Sequence, residues 1–368
     1  MIPESARMDY RARQRALLQS AEFSKCDIFL ATHLPNVRYL CGFTGSSGVL
    51  ALTPSGSVFF TDGRYSEQAR AEVKGARVVV VRKSPLAAAA EWLRQRAGRK
   101  RLVAGIESEH LTLASRALIM RQLSGRVRLR NTAGVVERPR MVKDAEELEG
   151  MRAAAKLGDS LFKVVLPRVR PGTAETSLAA EMEYAARRGG AEEMSFPTIV
   201  AAGPRSALPH ARASSNRVPR RGFVLFDFGV ILAGYCSDMT RTVCVGRPTA
   251  EERRIYQAVL EAQLAAISAI RPGVAVGEVD RAARMVLRGA GWARYFTHST
   301  GHGVGLEIHE PPRVAAGQQE RLQPGMVITV EPGVYLARRG GVRIEDMVVV
   351  TRSGCEVLTS ASKELIVL

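Results

Sequence analysis

Residues 222–246 read GFVLFDFGVILAGYCSDMTRTVCVG, and the fold of the second half of the chain turns on how they pair. Phe223, Val224, Leu225 and Phe226 form an apolar run that ends at Asp227, and Asp238 follows the turn-like Leu232-Ala233-Gly234. Short apolar runs on either side of a glycine turn read as a β-hairpin. If the hairpin is symmetric about that turn, Asp227 faces Asp238 on the paired strand. The pattern recurs downstream. Met326 to Val330 form a second run, Glu331 closes it, Arg338 to Gly341 supply a turn, and Glu345 falls opposite Glu331.

Two hairpins thus each carry an acid pair. Like charges directly opposite on paired strands are destabilising, and four half-buried carboxylates in one place would have strongly shifted pKa values unless cations neutralised them. A solvated strand-edge acid is the plain alternative for any one of the four. Their conjunction argues for a site, as does the position of the histidines: of the six in the chain, His210, His298, His302 and His309 lie near these acids in sequence. Asp227, Asp238, His302, Glu331 and Glu345 therefore read as the ligand set of two hard divalent ions. Carboxylate oxygens with a single imidazole suit Mn²⁺, Co²⁺ or Zn²⁺.

With 368 residues the chain is long for one core and implies two domains. No apolar run approaches the ~20 residues of a membrane span. The first residues are studded with charge (Glu4, Arg7, Asp9, Arg11) and lack the apolar centre of a signal peptide, so a cytoplasmic location is expected. Five cysteines, odd in number and without a C-x-x-C pair, indicate reduced thiols rather than a disulfide framework or a sulfur-ligated metal site. The net charge of +17 raises the question of a nucleic-acid partner. Its basic residues are scattered, however, and no nucleic-acid-binding motif accompanies them, so neither nucleic acid nor membrane is expected as a partner.

The first part of the chain alternates strand-like and helix-like segments, with strands over Cys26–Ala31, Val49–Thr53, Ser57–Thr61, Arg77–Val81 and Leu102–Ile106. Ser84 is a candidate N-cap for a helix that starts at Pro85 and stops at Gly98. A boundary is expected near Glu137, giving domains 1–137 and 138–368. The second domain repeats itself: a helix from Asp144 with Glu147 as its capping-box partner, then Arg170-Pro171-Gly172 and another helix; a helix from Thr249 with Glu252, then Arg271-Pro272-Gly273 and another helix. The pair Asp238-Met239 also recurs as Asp346-Met347, and the two pairs are expected in equivalent places of the repeat. The site is expected between the halves of the repeat.

These residues resemble the pita-bread metallopeptidases and, within them, the Xaa-Pro peptidases, prolidase and aminopeptidase P. In the first domain Asn36-Val37-Arg38-Tyr39-Leu40 and Thr61-Asp62-Gly63-Arg64-Tyr65 are similar to the creatinase-type N-terminal domain. In the second, Ser237 to Thr242, Gly301-His302-Gly303-Val304-Gly305, His309-Glu310, Glu331-Pro332-Gly333 and Arg343-Ile344-Glu345 match the family motifs. The resemblance implies an α/β creatinase-type domain followed by an α+β pita-bread catalytic domain with an internal pseudo-two-fold repeat. It also implies a homodimer.

By the same resemblance Asp227 would chelate one metal ion, Asp238 and Glu345 would bridge both, and His302 with Glu331 would complete the shell of the other ion. Glu331 would shuttle the proton, His210 and His309 would contact substrate and transition state, and His298, Arg313 and Arg343 would support or bind the substrate. Arg313 would pair with the free carboxylate of a dipeptide. The substrates would be proline-containing peptides, whose Xaa-Pro bond has no N–H for ordinary peptidases to grip. Dipeptidase and aminopeptidase remain alternatives at this point. A metal-free creatinase-type enzyme would not need all five ligands, and an RNA- or protein-binding module on the same fold would be expected to have lost some.

Overall fold

In the computed structural model, which describes residues 8–123 and 125–368, the chain divides after Arg140 rather than after Glu137. Glu137–Met141 is a short helix instead of a connecting strand of chain. It is tied to the first unit by the buried Asn36 amide, which donates to Glu137 at 2.6 Å and accepts from Arg140 at 2.6 Å.

The first unit is built on a six-stranded mixed sheet. Its strands are β1 (Ile28–Ala31), β2 (Val49–Leu52), β3 (Ser57–Asp62), β4 (Ala76–Val81), β5 (Leu102–Glu107) and β6 (Val127–Thr132), ordered β4-β3-β2-β1-β5-β6. The edge strand β6 was not foreseen in its sequence, VRLRNT, because basic residues interrupt the apolar ones and only part of it is buried. The helix Pro85–Ala97 lies where its sequence signals put it, and Gly98 adopts φ 51° at its end. Ser84 occupies the N-cap position but its side chain makes no capping hydrogen bond. Leu93 and Ala89 of this helix pack on Ile28, Leu30, Ala51 and Ile106 of the sheet.

The second unit is a structural repeat. Helices Ala145–Val165 and Glu175–Arg188 form one pair, and Ala250–Ser268 and Val276–Gly289 the other. Each leading helix starts in a complete capping box, Asp144 with Glu147 and Thr249 with Glu252. The turns between the helices match at their glycines. Gly172 and Gly273 have φ of 89° and 85°, which glycine adopts without the steric penalty of a Cβ. Their carbonyls accept from Arg217 and Arg321 respectively, each at 2.7 Å. Each helix pair covers its own sheet: Leu161, Phe162 and Leu178 pack on Val224, Phe226 and Val243, while Ile255, Val259 and Val279 pack on Ile328, Val330 and Val348.

The strands of the second unit are β7 (Glu193–Met194), β8 (Ile199–Ala202), β9 (Gly222–Phe228), β10 (Val230–Leu232), β11 (Tyr235–Cys236), β12 (Met239–Val245), β13 (Gly301–Gly303), β14 (Glu310–Val314), β15 (Val327–Val330), β16 (Gly333–Leu336), β17 (Gly340–Arg343), β18 (Asp346–Val350) and β19 (Cys355–Val357). They form sheets β12-β9-β8, β11-β10-β7, β14-β13-β15-β18-β19 and β16-β17.

The hairpin register corrects the sequence reading of the first acid pair. Asp227 pairs with Thr240, not with Asp238, and Leu232 pairs with Tyr235. The loop is Ala233-Gly234, with φ of 50° and 81°, the paired positive φ values of a two-residue hairpin loop. The turn is therefore centred one residue later than expected, and the register moves by two. A two-residue shift preserves the face of the strand, whereas a one-residue shift would have turned Asp238 away.

The second pair keeps the expected register. Val330 pairs with Asp346 and Gly333 with Arg343, so Glu331 and Glu345 fall opposite each other between the two ladders. Asp346, one residue on, takes the other face. It is buried against Arg241 at 2.7 Å and Lys363 at 2.8 Å. The recurrence of Asp-Met therefore does not mark equivalent places: Asp238 faces the site and Asp346 a structural ion-pair network.

Candidate metal centre

All five candidate ligands stand where strands begin, end or break. Asp227 is near the end of β9, Asp238 just before β12, His302 in β13, Glu331 just after β15 and Glu345 just before β18. Leaving the ladders frees their backbones for other partners. The Glu331 N–H donates to Thr300 O at 2.7 Å, the Glu345 N–H to Thr240 O at 3.1 Å, and the Asp238 N–H to the Met347 sulfur at 3.2 Å.

One cavity of about 760 Å³ is lined by these five residues together with His210, His298, His309, Arg313 and Arg343. Asp238, His302 and Glu345 each offer one ligand atom, and these atoms all lie within 4.8 Å of one another. His302 Nε2 is 3.5 Å from Asp238 Oδ2 and 3.6 Å from Glu331 Oε1.

The electrostatics of this cluster call for cations. Burial, reinforced by Glu345, Asp227 and Glu331, pushes the Asp238 carboxyl well above the usual range. Burial and its acid neighbours do the same to Glu345. Glu331 is pushed up to about 8, again chiefly by burial, with Arg343 opposing and Asp227 adding to the shift. Asp238 Oδ1 is buried and has no hydrogen-bond partner among the described residues. A buried oxygen without a donor loses about 1–3 kcal/mol of solvation, and bound divalent ions would remove both that loss and the repulsion.

The His302 ring is held in one orientation. Its Nδ1 lies 2.9 Å from the Gly303 carbonyl, which can only accept, so the proton sits on Nδ1 and the Nε2 lone pair faces Asp238 and Glu331. Burial lowers its pKa to about 4, which keeps the ring neutral. Fixing the distal ring nitrogen by a hydrogen bond is how metal-ligating histidines are oriented. Four carboxylates and one oriented imidazole therefore fit divalent metal.

Arg343 and His298, expected among the substrate contacts, are engaged within the protein. Arg343 is buried and donates to Thr240 Oγ1 at 3.0 Å, Pro209 O at 3.2 Å and Tyr335 Oη at 2.8 Å, and it pairs with Asp227. His298 donates from Nδ1 to Ser299 O at 2.8 Å, and its Nε2 accepts from Tyr335 Oη at 2.8 Å. Their geometry is that of positioning residues. His210 and His309 are exposed to the cavity, and the His309 ring stands edge-on to His302 with centroids 4.5 Å apart. Arg313 pairs with His302 across β13 and β14 and is exposed.

Two participants escaped the sequence reading. The Thr240 hydroxyl donates to Glu345 Oε2 at 2.7 Å; the signal was available, since Thr240 lies within the quoted motif and faces Asp227 in the true register. Tyr335 links Arg343 to His298, and nothing in its sequence neighbourhood announces a contact that depends on two other strands and a loop. All five cysteines are free, and among the described residues no helix is long and apolar enough to cross a membrane.

Residues 149–352 match metallopeptidase family M24, and residues 13–142 match the Creatinase/Prolidase N-terminal domain. An uncharacterized peptidase of Bacillus subtilis, YqhT, is 41% identical over 342 residues, which span 93% of this chain and 96% of that one. The solved Xaa-Pro dipeptidase from Bacillus anthracis is 37% identical with a TM-score of 0.92, covering 98% of this chain and 100% of that one. An X-Pro aminopeptidase from Thermotoga maritima is 34% identical with a TM-score of 0.86, covering 93% of this chain and 98% of that one. With the acid and histidine cluster in place, and a creatinase-type unit ahead of the repeat, the chain belongs to metallopeptidase family M24.

Proposed function

We propose that the protein is a metal-dependent Xaa-Pro peptidase that cleaves the bond before proline in dipeptides or at peptide N-termini. The observation that carries this reading is the convergence of four carboxylates and one neutral, oriented imidazole in a cavity that also exposes His210, His309 and Arg313. Asp227, Asp238, His302, Glu331 and Glu345 would hold two divalent ions, Mn²⁺ or Co²⁺, with Zn²⁺ as the alternative. When bound, such ions lower the pKa of water and polarise the scissile carbonyl.

The remaining work falls to side chains of the chain itself. Glu331 moves a proton through its carboxylate to the leaving proline nitrogen. His210 and His309 orient the peptide and donate to the oxygen on which charge develops. Arg343 holds Asp227 in place, and Thr240 holds Glu345. Arg313 pairs with the carboxylate of a dipeptide substrate. Free thiols fit a cytoplasmic setting, and a homodimer completes the proposal. Nucleic acid has no place in this reading.

The test is mass analysis of products from Ala-Pro and Ala-Pro-Ala after loading with Mn²⁺ or Co²⁺. Release of free alanine from either substrate is expected, and the ratio of the two rates separates dipeptidase from aminopeptidase. Hydrolysis of neither would refute the proposal.

A further inference from the structure

The cavity contains a cation whose purpose the proposed chemistry does not explain. Arg212 lines it, is exposed, and makes no side-chain hydrogen bond or ion pair among the described residues. The acids nearby are already engaged: Asp227 by Arg343, Glu345 by Thr240, and Glu310 by the buried Lys143 at 3.2 Å. Asp238 and Glu331 converge with His302 on the metal cluster. Among the described residues that line the cavity, no carboxylate is left for Arg212.

The backbone that presents Arg212 is firmly held. The Ala211 N–H donates to Leu208 O at 3.2 Å, and the Arg212 carbonyl accepts from Arg205 at 2.6 Å. Two residues on, the Ser214 N–H and hydroxyl donate to Glu175 Oε2 at 3.0 and 2.7 Å. Glu175 is fully buried and also receives Ala202 N–H and Arg205 Nε, at 2.9 and 3.1 Å. Along this loop Ala211 is buried while His210 and Arg212 are exposed, and both of these line the cavity. Arg212 thus lines the same cavity as His210.

We propose that Arg212 is a specificity-determining residue that recognises an acidic side chain on the residue before proline, so that Glu-Pro and Asp-Pro are preferred substrates. The inference rests on the Xaa-Pro peptidase reading. A dipeptide has one carboxylate at its C-terminus, for which Arg313 is available, and apolar wall is supplied by Phe196, Ile199 and Ile308. A second unpartnered guanidinium is matched by a second carboxylate, and arginine binds carboxylate through paired donors.

The experiment compares kcat/KM for Glu-Pro and for its neutral isostere Gln-Pro, in the metal-loaded enzyme and its Arg212→Met, Arg212→Lys and Arg313→Met variants. Taking the ratio within each variant cancels any loss of folded or loaded enzyme. The wild type is expected to favour Glu-Pro by about ten-fold at low salt, the preference shrinking as salt is added, as for a partly exposed ion pair. Arg212→Met should bring the ratio near one, Arg212→Lys should restore part of it, and Arg313→Met should leave most of it. A wild-type ratio near one, or a ratio that survives Arg212→Met, overturns the assignment while hydrolysis of Ala-Pro keeps the underlying reading intact. A ratio lost in Arg313→Met but kept in Arg212→Met assigns the acidic side chain to Arg313 and also overturns it. Failure to hydrolyse Ala-Pro at all overturns both.

Discussion

Thr240 and Glu345 are joined twice: the Thr240 hydroxyl donates to Glu345 Oε2 at 2.7 Å, and the Glu345 N–H donates to the Thr240 carbonyl at 3.1 Å. One residue from the first half of the repeat thereby fixes an acid from the second. The same hydroxyl accepts from Arg343 Nε at 3.0 Å, and Arg343 in turn pairs with Asp227. Acids from both halves are thus fixed through one buried hydroxyl.

Thr240→Val keeps the shape of this side chain and removes the hydroxyl. It leaves Glu345 and Arg343 each short of a partner, so stability should fall by about 1–3 kcal/mol. Metal affinity should fall about ten- to a hundred-fold, as for other residues that orient ligands. Calorimetric titration with Mn²⁺ checks this, and unchanged affinity would mean that Glu345 is positioned without Thr240.

For Glu331→Gln the expected effect is on turnover. The amide can still occupy the site but cannot carry a proton, and loss of a general acid or base costs about 10² to 10⁴ in rate. Steady-state kinetics on Ala-Pro with the metal content measured in parallel separates this from simple metal loss. Near-normal kcat would remove Glu331 from proton transfer.

How much of this was legible in the sequence depended on whether the information was local. Asp227, Glu331 and Glu345 could be placed because each ends or begins a short apolar run, and His302 because it sits in a glycine-flanked motif. The repeat was visible because capping boxes and Arg-Pro-Gly turns are local chemistry. The register of Asp227 was missed because Ala233 adopts a positive φ that alanine does not advertise. Asp346 was misjudged for a related reason: a neighbour on a strand points to the opposite face, and the recurring Asp-Met text hides that alternation. Tyr335, and the contacts by which Arg343 holds Asp227, could not be read from local sequence, since they depend on how separate strands and loops pack.

His210→Ala and His309→Ala should behave unlike the ligand variants. Both residues line the cavity outside the proposed set of five ligands, so bound metal should stay at the wild-type level while kcat/KM falls by about 10² or more. Elemental analysis of the purified variants checks the first half of the statement. Metal loss in either variant would place that histidine among the ligands.

Arg313→Ala should raise KM for Xaa-Pro dipeptides about ten- to a hundred-fold, corresponding to a charge-assisted contact of about 1.5–3 kcal/mol. Xaa-Pro amides and tripeptides should be affected far less. Equal effects on both substrate classes would refute the carboxylate clamp and favour the aminopeptidase assignment.

If the acid and histidine cluster is a working metal centre for cleavage before proline, activity must follow metal content through removal and titration. Exhaustive chelation should abolish Ala-Pro hydrolysis, and stepwise return of Mn²⁺ or Co²⁺ should restore it, with activity reaching its plateau as the second equivalent binds. Hydrolysis that survives complete removal of metal, or that no divalent ion restores to the folded apoprotein, would rule out a metal-dependent site.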